Sequence, residues 1–102
     1  MMKNKEAYEN ICFQIISAAG TAKSCYLEAI EYAKQKEPYE EALKEGRKAF
    51  CQASSAHQDA LQMDAEGNLD VGLLLIHAES ILGGAEIIGD LAETIIALLH
   101  QS

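Results

Sequence analysis

Tryptophan is absent from this 102-residue chain, proline occurs once, and aromatic residues make up only 6%. One proline and few turn clusters leave room for a few long elements, and the dominance of Ala, Leu, Ile, Glu and Lys favours helix over strand. Basic residues are also scarce: 8 Lys and Arg stand against 16 Asp and Glu, a formal charge of −8. That balance argues against nucleic acid, which needs a basic footprint, and against anionic membrane surfaces. Toward protein partners it gives a mild preference for a basic patch. The longest uncharged apolar run, Val71 to Ala78, is too short to span a bilayer and contains His77, so a soluble chain is expected. Cys12, Cys25 and Cys51 are odd in number and form no C-x-x-C pair. With no signal-peptide pattern, they are expected to be buried free thiols in a reducing, cytosolic setting. No glycine-rich phosphate loop follows a strand, because Gly83-Gly84 lies inside a helical pattern, and no Ser-His-Asp or Cys-His arrangement can be drawn.

What is present is apolar periodicity at helical spacing. Over about 3–36, Tyr8, Ile11, Cys12, Ile15, Ala19, Ala22, Tyr26, Ile30 and Ala33 share one face. Gly20, in mid-helix, costs about 1 kcal/mol relative to Ala, and close approach of a neighbouring helix is the expected compensation. Lys36-Glu37-Pro38 breaks the pattern, and Pro38 is suited to the first turn of a second helix over about 38–66. That helix would bury Ala42, Leu43, Ala49, Phe50, Ala53, Ala56, Ala60 and Leu61 and end at Gly67-Asn68, a C′ glycine. Asp70 is the natural N-cap of a third helix over about 70–100. Short connections between three long helices predict a single all-α domain, an antiparallel up-down-up bundle.

The third helix is too apolar for such a bundle. His77 shares a stripe with Leu74, Ile81, Gly84, Ile88, Leu91, Ile95 and Leu99, and further Leu and Ile residues spread round the circumference. Two partner helices cannot cover that surface, so third helices from several subunits are expected to meet in closed cyclic symmetry. The polar strip is Glu79, Glu86, Asp90 and Glu93, with His77 directed away from it. By pattern alone, a histidine on an apolar stripe is either a hydrogen-bonded core residue or a reactive one, the former being the commoner case. His57 is read as structural and His100 as solvated. No spacing among the three makes a metal site.

Residues 13–30, FQIISAAGTAKSCYLEAI, resemble the first-helix signature F-x-I-[IV]-x-x-A-G-x-A-[RK]-S-x-x-x-E-A-[LI] of the lactose/cellobiose-type IIA components of the bacterial sugar phosphotransferase system. Ala56-His57 resembles that family's A-H pair. Ile76-His77-Ala78 falls where the family has M-H-[AG] before Q-D-H-L-M. The resemblance covers essentially the whole chain. It implies a cytoplasmic homotrimer of three-helix subunits in which His77 is the catalytic residue. There the small carrier protein HPr would phosphorylate the imidazole, and His77 would pass the group to a cysteine of a cognate IIB protein. A di- or oligosaccharide of cellobiose, lactose or diacetylchitobiose type would then receive it, with the membrane reached only through the IIC component. Ser80, Glu79, Gly84 and His57 are the candidate contacts to phosphate or partner. Glu79-Ser80-Ile81-Leu82-Gly83 stands where the family has Q-D-H-L-M. Ser80 therefore replaces the aspartate whose three copies hold a divalent cation on the trimer axis, and no metal or other cofactor is expected. The same changes motivate an alternative: a diverged helical binding or regulatory module that keeps the bundle and has lost the transfer.

Overall fold

A computed structural model of the chain describes residues 5–69 and 71–101. They form three helices: α1 (Lys5–Lys34), α2 (Glu40–Ala65) and α3 (Leu73–His100), with no strand among the described residues. α1 buries Tyr8, Ile11, Cys12, Ile15, Ala19, Ala22, Tyr26, Ala29 and Ala33, a three-to-four spacing that keeps one stripe inward over 30 residues. Two backbone devices stop the helices short of the expected bounds. Lys36 takes a left-handed φ of 59°, and the Glu37 and Lys36 amides donate to the Tyr32 and Ala33 carbonyls at 2.9 and 3.1 Å. Gly67 does the same for α2 at φ 75°, with the Asn68 amide on the Met63 carbonyl at 2.8 Å. Both are 6→1 closures of a helix end. Pro38 lies outside α2, one residue before the N-cap Tyr39, whose carbonyl accepts the first helical bond, from Leu43. Asp70, the expected cap of α3, falls outside the described residues. The N-cap is Gly72, which has no side chain to donate or accept.

Contacts along the bundle fix the up-down-up order. The Leu75 amide, at the start of α3, donates to the Tyr8 hydroxyl near the start of α1 at 3.0 Å. Tyr39, at the start of α2, meets His100, at the end of α3, edge to face at 5.0 Å. The core between the helices is built mostly from alanine, with Ala19, Ala22, Ala29, Ala53 and Ala78 fully buried, so the helices lie close together. Tyr26 is the large exception. Its ring wedges between α2 and α3 at two glycines. A Cβ on Gly46 would sit 2.8 Å from Tyr26 Cδ1 and Cε1, and one on Gly89 would sit 2.8 Å from Cε2 and 2.9 Å from Cζ. Close approach therefore explains Gly46 and Gly89. It does not explain Gly20, where an added Cβ would meet nothing within 4 Å, contrary to the expectation from sequence.

The bundle measures 57 × 18 × 16 Å, with a radius of gyration of 16.0 Å against about 13 Å for a compact chain of this length. An elongated three-helix unit covers its own apolar surface poorly. On α3 the buried residues are Leu75, Ala78, Leu82, Ala85, Gly89, Ala92 and Ile96. The stripe assigned to His77 from the sequence divides: Leu74, Ile81, Ile88 and Leu99 are half-buried against the core, whereas Leu91 and Ile95 are exposed. Leu73 is 82% exposed, Ile87 61% and Leu98 58%, and Ile76, Leu91 and Ile95 join them. At 100° per residue these six fall within an arc of about 100°. α3 therefore turns Leu75, Leu82, Ile96 and four small residues inward and leaves a flank of large apolar side chains exposed.

Candidate functional site

His77 occupies the second turn of α3 and is exposed, and among the described residues its ring makes no hydrogen bond or ion pair. It is therefore not a hydrogen-bonded core histidine of this chain. Nor does the chain itself give the ring an apolar enclosure. Helical geometry places Gly84 about 20° and Ser80 about 60° from His77, all three inside the exposed apolar arc. Ser80 is exposed and Gly84 half-buried, so a hydroxyl and a patch of uncovered backbone share the imidazole's side of the helix.

Glu79 and His57 form a second pair on the other side of α3. Glu79 lies about 160° round the helix from His77, and its Oε2 meets His57 Nε2 at 2.8 Å across the α2–α3 interface. The four candidate contact residues thus divide in two. Ser80 and Gly84 accompany His77, whereas Glu79 and His57 engage each other away from it. This separation matters electrostatically, because a carboxylate facing the imidazole would repel an incoming phosphoryl group. Lower down the same interface, Arg47 Nε donates to Glu93 Oε1 at 2.9 Å. Its guanidinium and the rim carboxylates Glu86 and Asp90 surround a groove of about 190 Å³ floored by Tyr26.

The thiols offer no competing centre. Burial pushes the Cys12 thiol up from its ordinary value, with a hydrogen bond from Tyr8 acting in the opposite sense. Cys25 is raised by burial and then by Glu28 and Glu45. Neither is therefore an activated thiolate. Cys51 is exposed on α2 rather than buried as the sequence suggested. Among the described residues no three His, Cys, Asp or Glu side chains gather as a metal-binding group. None of the described helices is long and apolar enough to cross a membrane.

Tyr8 escaped sequence reasoning. It scored as one apolar position of α1, yet its hydroxyl bonds the first turn of α3 two residues before His77. The available signal was a phenol on a core face opposite a helix start whose N-cap region contains glycine.

Three helices, an exposed histidine in the second turn of the third and an uncovered apolar flank beside it define a small all-α helical-bundle module. Residues 10–100 match the family described as the PTS system lactose/cellobiose-specific IIA subunit. The chain is 37% identical over 100 residues to the lichenan-specific phosphotransferase enzyme IIA component of Bacillus subtilis (strain 168), covering 94% of this chain and 90% of that one. Its fold superposes on the crystal structure of the PTS cellobiose-specific enzyme IIA from Bacillus anthracis with a TM-score of 0.87 at 32% identity, over 99% of this chain and 93% of that one. The crystal structure of PtcA from S. mutans also gives a TM-score of 0.87, at 26% identity, covering 95% and 98% of the two chains. The chain belongs to the lactose/cellobiose IIA family of the sugar phosphotransferase system, and as such is a phosphotransferase component with a carrier role.

Proposed function

We propose that His77 is the phosphoryl acceptor, charged by phospho-HPr and discharged to a cysteine of a IIB protein. A lone pair on the neutral imidazole attacks phosphorus. The new N–P bond forms as the donor's N–P bond breaks, and the donor imidazole leaves with that electron pair. In the second transfer a thiolate attacks, an S–P bond forms and the His77 N–P bond breaks. Positioning and electrostatics do most of the work in such transfers, so an exposed ring on a rigid helix is a sufficient platform. The observation that carries the reading is the exposed His77 ring, free of hydrogen bonds among the described residues, in Ile76-His77-Ala78, which resembles the family's M-H-[AG] and lies within the matched residues 10–100. Pairing of Glu79 with His57 favours transfer over the non-catalytic alternative, since it holds the one non-family carboxylate of this segment away from the imidazole.

The exposed α3 flank, in this reading, is the self-association surface of a homotrimer. Because Ser80 lies on that flank and is no carboxylate, the trimer would assemble without a divalent cation. The sugar is an oligosaccharide of β-glucoside type, such as the relatives' names indicate for lichenan and cellobiose, and uptake would run through a IIC component. Incubation with phosphoenolpyruvate, enzyme I and HPr should yield an acid-labile phosphate that is lost in His77→Ala and retained in His57→Ala. No incorporation by the wild type, with a specific non-phosphotransferase partner recovered instead, would favour the binding-module reading.

A further inference from the structure

We infer that Tyr8 is a positioning residue for His77, acting as the N-terminal cap of α3 from a different helix. The assignment builds on His77 being the phosphoryl acceptor. Helix starts carry N–H groups with no partner of their own, and Ser, Thr, Asp or Asn at the N-cap usually accepts from the second or third of them. Here the N-cap is Gly72 at φ −133°, ψ −179°, an extended backbone with the ordinary N-cap geometry but without a side chain. The Ile76 amide bonds the Gly72 carbonyl at 3.2 Å and opens the helical ladder. The Leu75 amide, at the third position, bonds the Tyr8 hydroxyl instead, at 3.0 Å and buried. An acceptor from α1 thus does what the local side chain cannot.

Among the described residues, little else holds this turn. Leu73 projects into solvent and Leu74 is half-buried, so Leu75 alone among the three is buried. Upstream, Leu69 is buried and Val71 exposed. Helix ends with so few anchors open at free energies near zero, and one hydrogen bond then decides the closed fraction. His77 lies two residues beyond Leu75, in the turn whose geometry this cap defines. Tyr8 itself is 4% exposed, so any effect of changing it on transfer must pass through α3 and not through contact with a donor protein.

Tyr8→Phe removes the acceptor and keeps the ring. Leu75 amide exchange is expected to accelerate about tenfold, the loss of one buried bond. The maximal phosphorylation rate of His77 should fall about two- to threefold, as a turn that was mostly closed becomes mostly open, while the half-saturating HPr concentration stays unchanged. Adding Gly72→Ser supplies an N-cap hydroxyl from the chain itself and should restore both quantities in the double variant. Unchanged Leu75 exchange in Tyr8→Phe, or no rescue by Gly72→Ser, overturns the capping assignment. Faster exchange with an unaltered transfer rate overturns the positioning role. The exchange measurement needs no phosphoryl transfer, so failure of His77 to be phosphorylated at all registers separately.

Discussion

Gly46→Ala measures how tightly the wedge of Tyr26 is held. In an open helix interior this change gains about 1 kcal/mol of helix propensity. Here the new Cβ would lie 2.8 Å from two ring carbons of Tyr26 and 3.3 Å from Cys25 Cβ, against an ordinary carbon contact of about 3.5–4.0 Å. The ring cannot retreat, because its far edge lies against Gly89, where a Cβ would be 2.8 Å away. Overpacking of this kind costs about 1–3 kcal/mol. Set against the propensity gain, the mid-range expectation is a net loss of about 1 kcal/mol, or about 4–8 °C in Tm for a domain of this size. Thermal and urea unfolding followed by circular dichroism at one fixed protein concentration would measure it, since self-association makes Tm concentration-dependent. Gly20→Ala is the control, with nothing within 4 Å of its Cβ, and should gain stability. In a Tyr26→Leu background the Gly46→Ala penalty should disappear. A stabilised Gly46→Ala, or the same penalty in both backgrounds, would refute the wedge.

Other expectations follow from the α3 flank and the side chains around it. Leu91→Glu places a charge in the exposed apolar arc and should shift the chain from trimer to monomer in sedimentation while leaving helix content intact; a persistent trimer contradicts that use of the flank. Chelation with EDTA should leave the sedimentation of the wild type unchanged, because Ser80 supplies no carboxylate. A thiol reagent should modify exposed Cys51 first. Since burial raises the Cys12 and Cys25 pKa, fewer of these thiols are ionised at a given pH, so their modification should accelerate only at more alkaline pH than that of an unperturbed thiol. Glu79→Gln removes the carboxylate that His57 meets near the surface and should cost at most about 1 kcal/mol in urea unfolding.

The inward face of α1 was legible because nine positions repeat at helical spacing and compete with no second apolar face. α3 was harder for the opposite reason. With Leu and Ile nearly all round, periodicity could not say which arc turns inward, and the structure assigns that role to Leu75, Ala78, Leu82, Ala85, Gly89, Ala92 and Ile96. The excess itself was readable, and it is the exposed flank. Pairwise contacts between helices were not readable: nothing in one-dimensional spacing joins Tyr8 to Leu75, His57 to Glu79, or Tyr26 to Gly46 and Gly89. Helix ends shifted inward where single residues, Lys36 at φ 59° and Pro38 ahead of the N-cap, override the apolar pattern. His77 stood out in the sequence as an imidazole on an apolar stripe and took its expected role from resemblance, while its freedom from the core is visible only in three dimensions.

Selective labelling of the three histidine rings with nitrogen-15 offers the most direct view of the central claim. His57, His77 and His100 each give their own imidazole signals, before and after charging by enzyme I and HPr. The expected result is a phosphoramidate shift at His77 alone, reversed when a IIB protein is added. A phosphoramidate signal at His57 or His100, or unchanged spectra for all three rings under conditions that charge HPr, would contradict it.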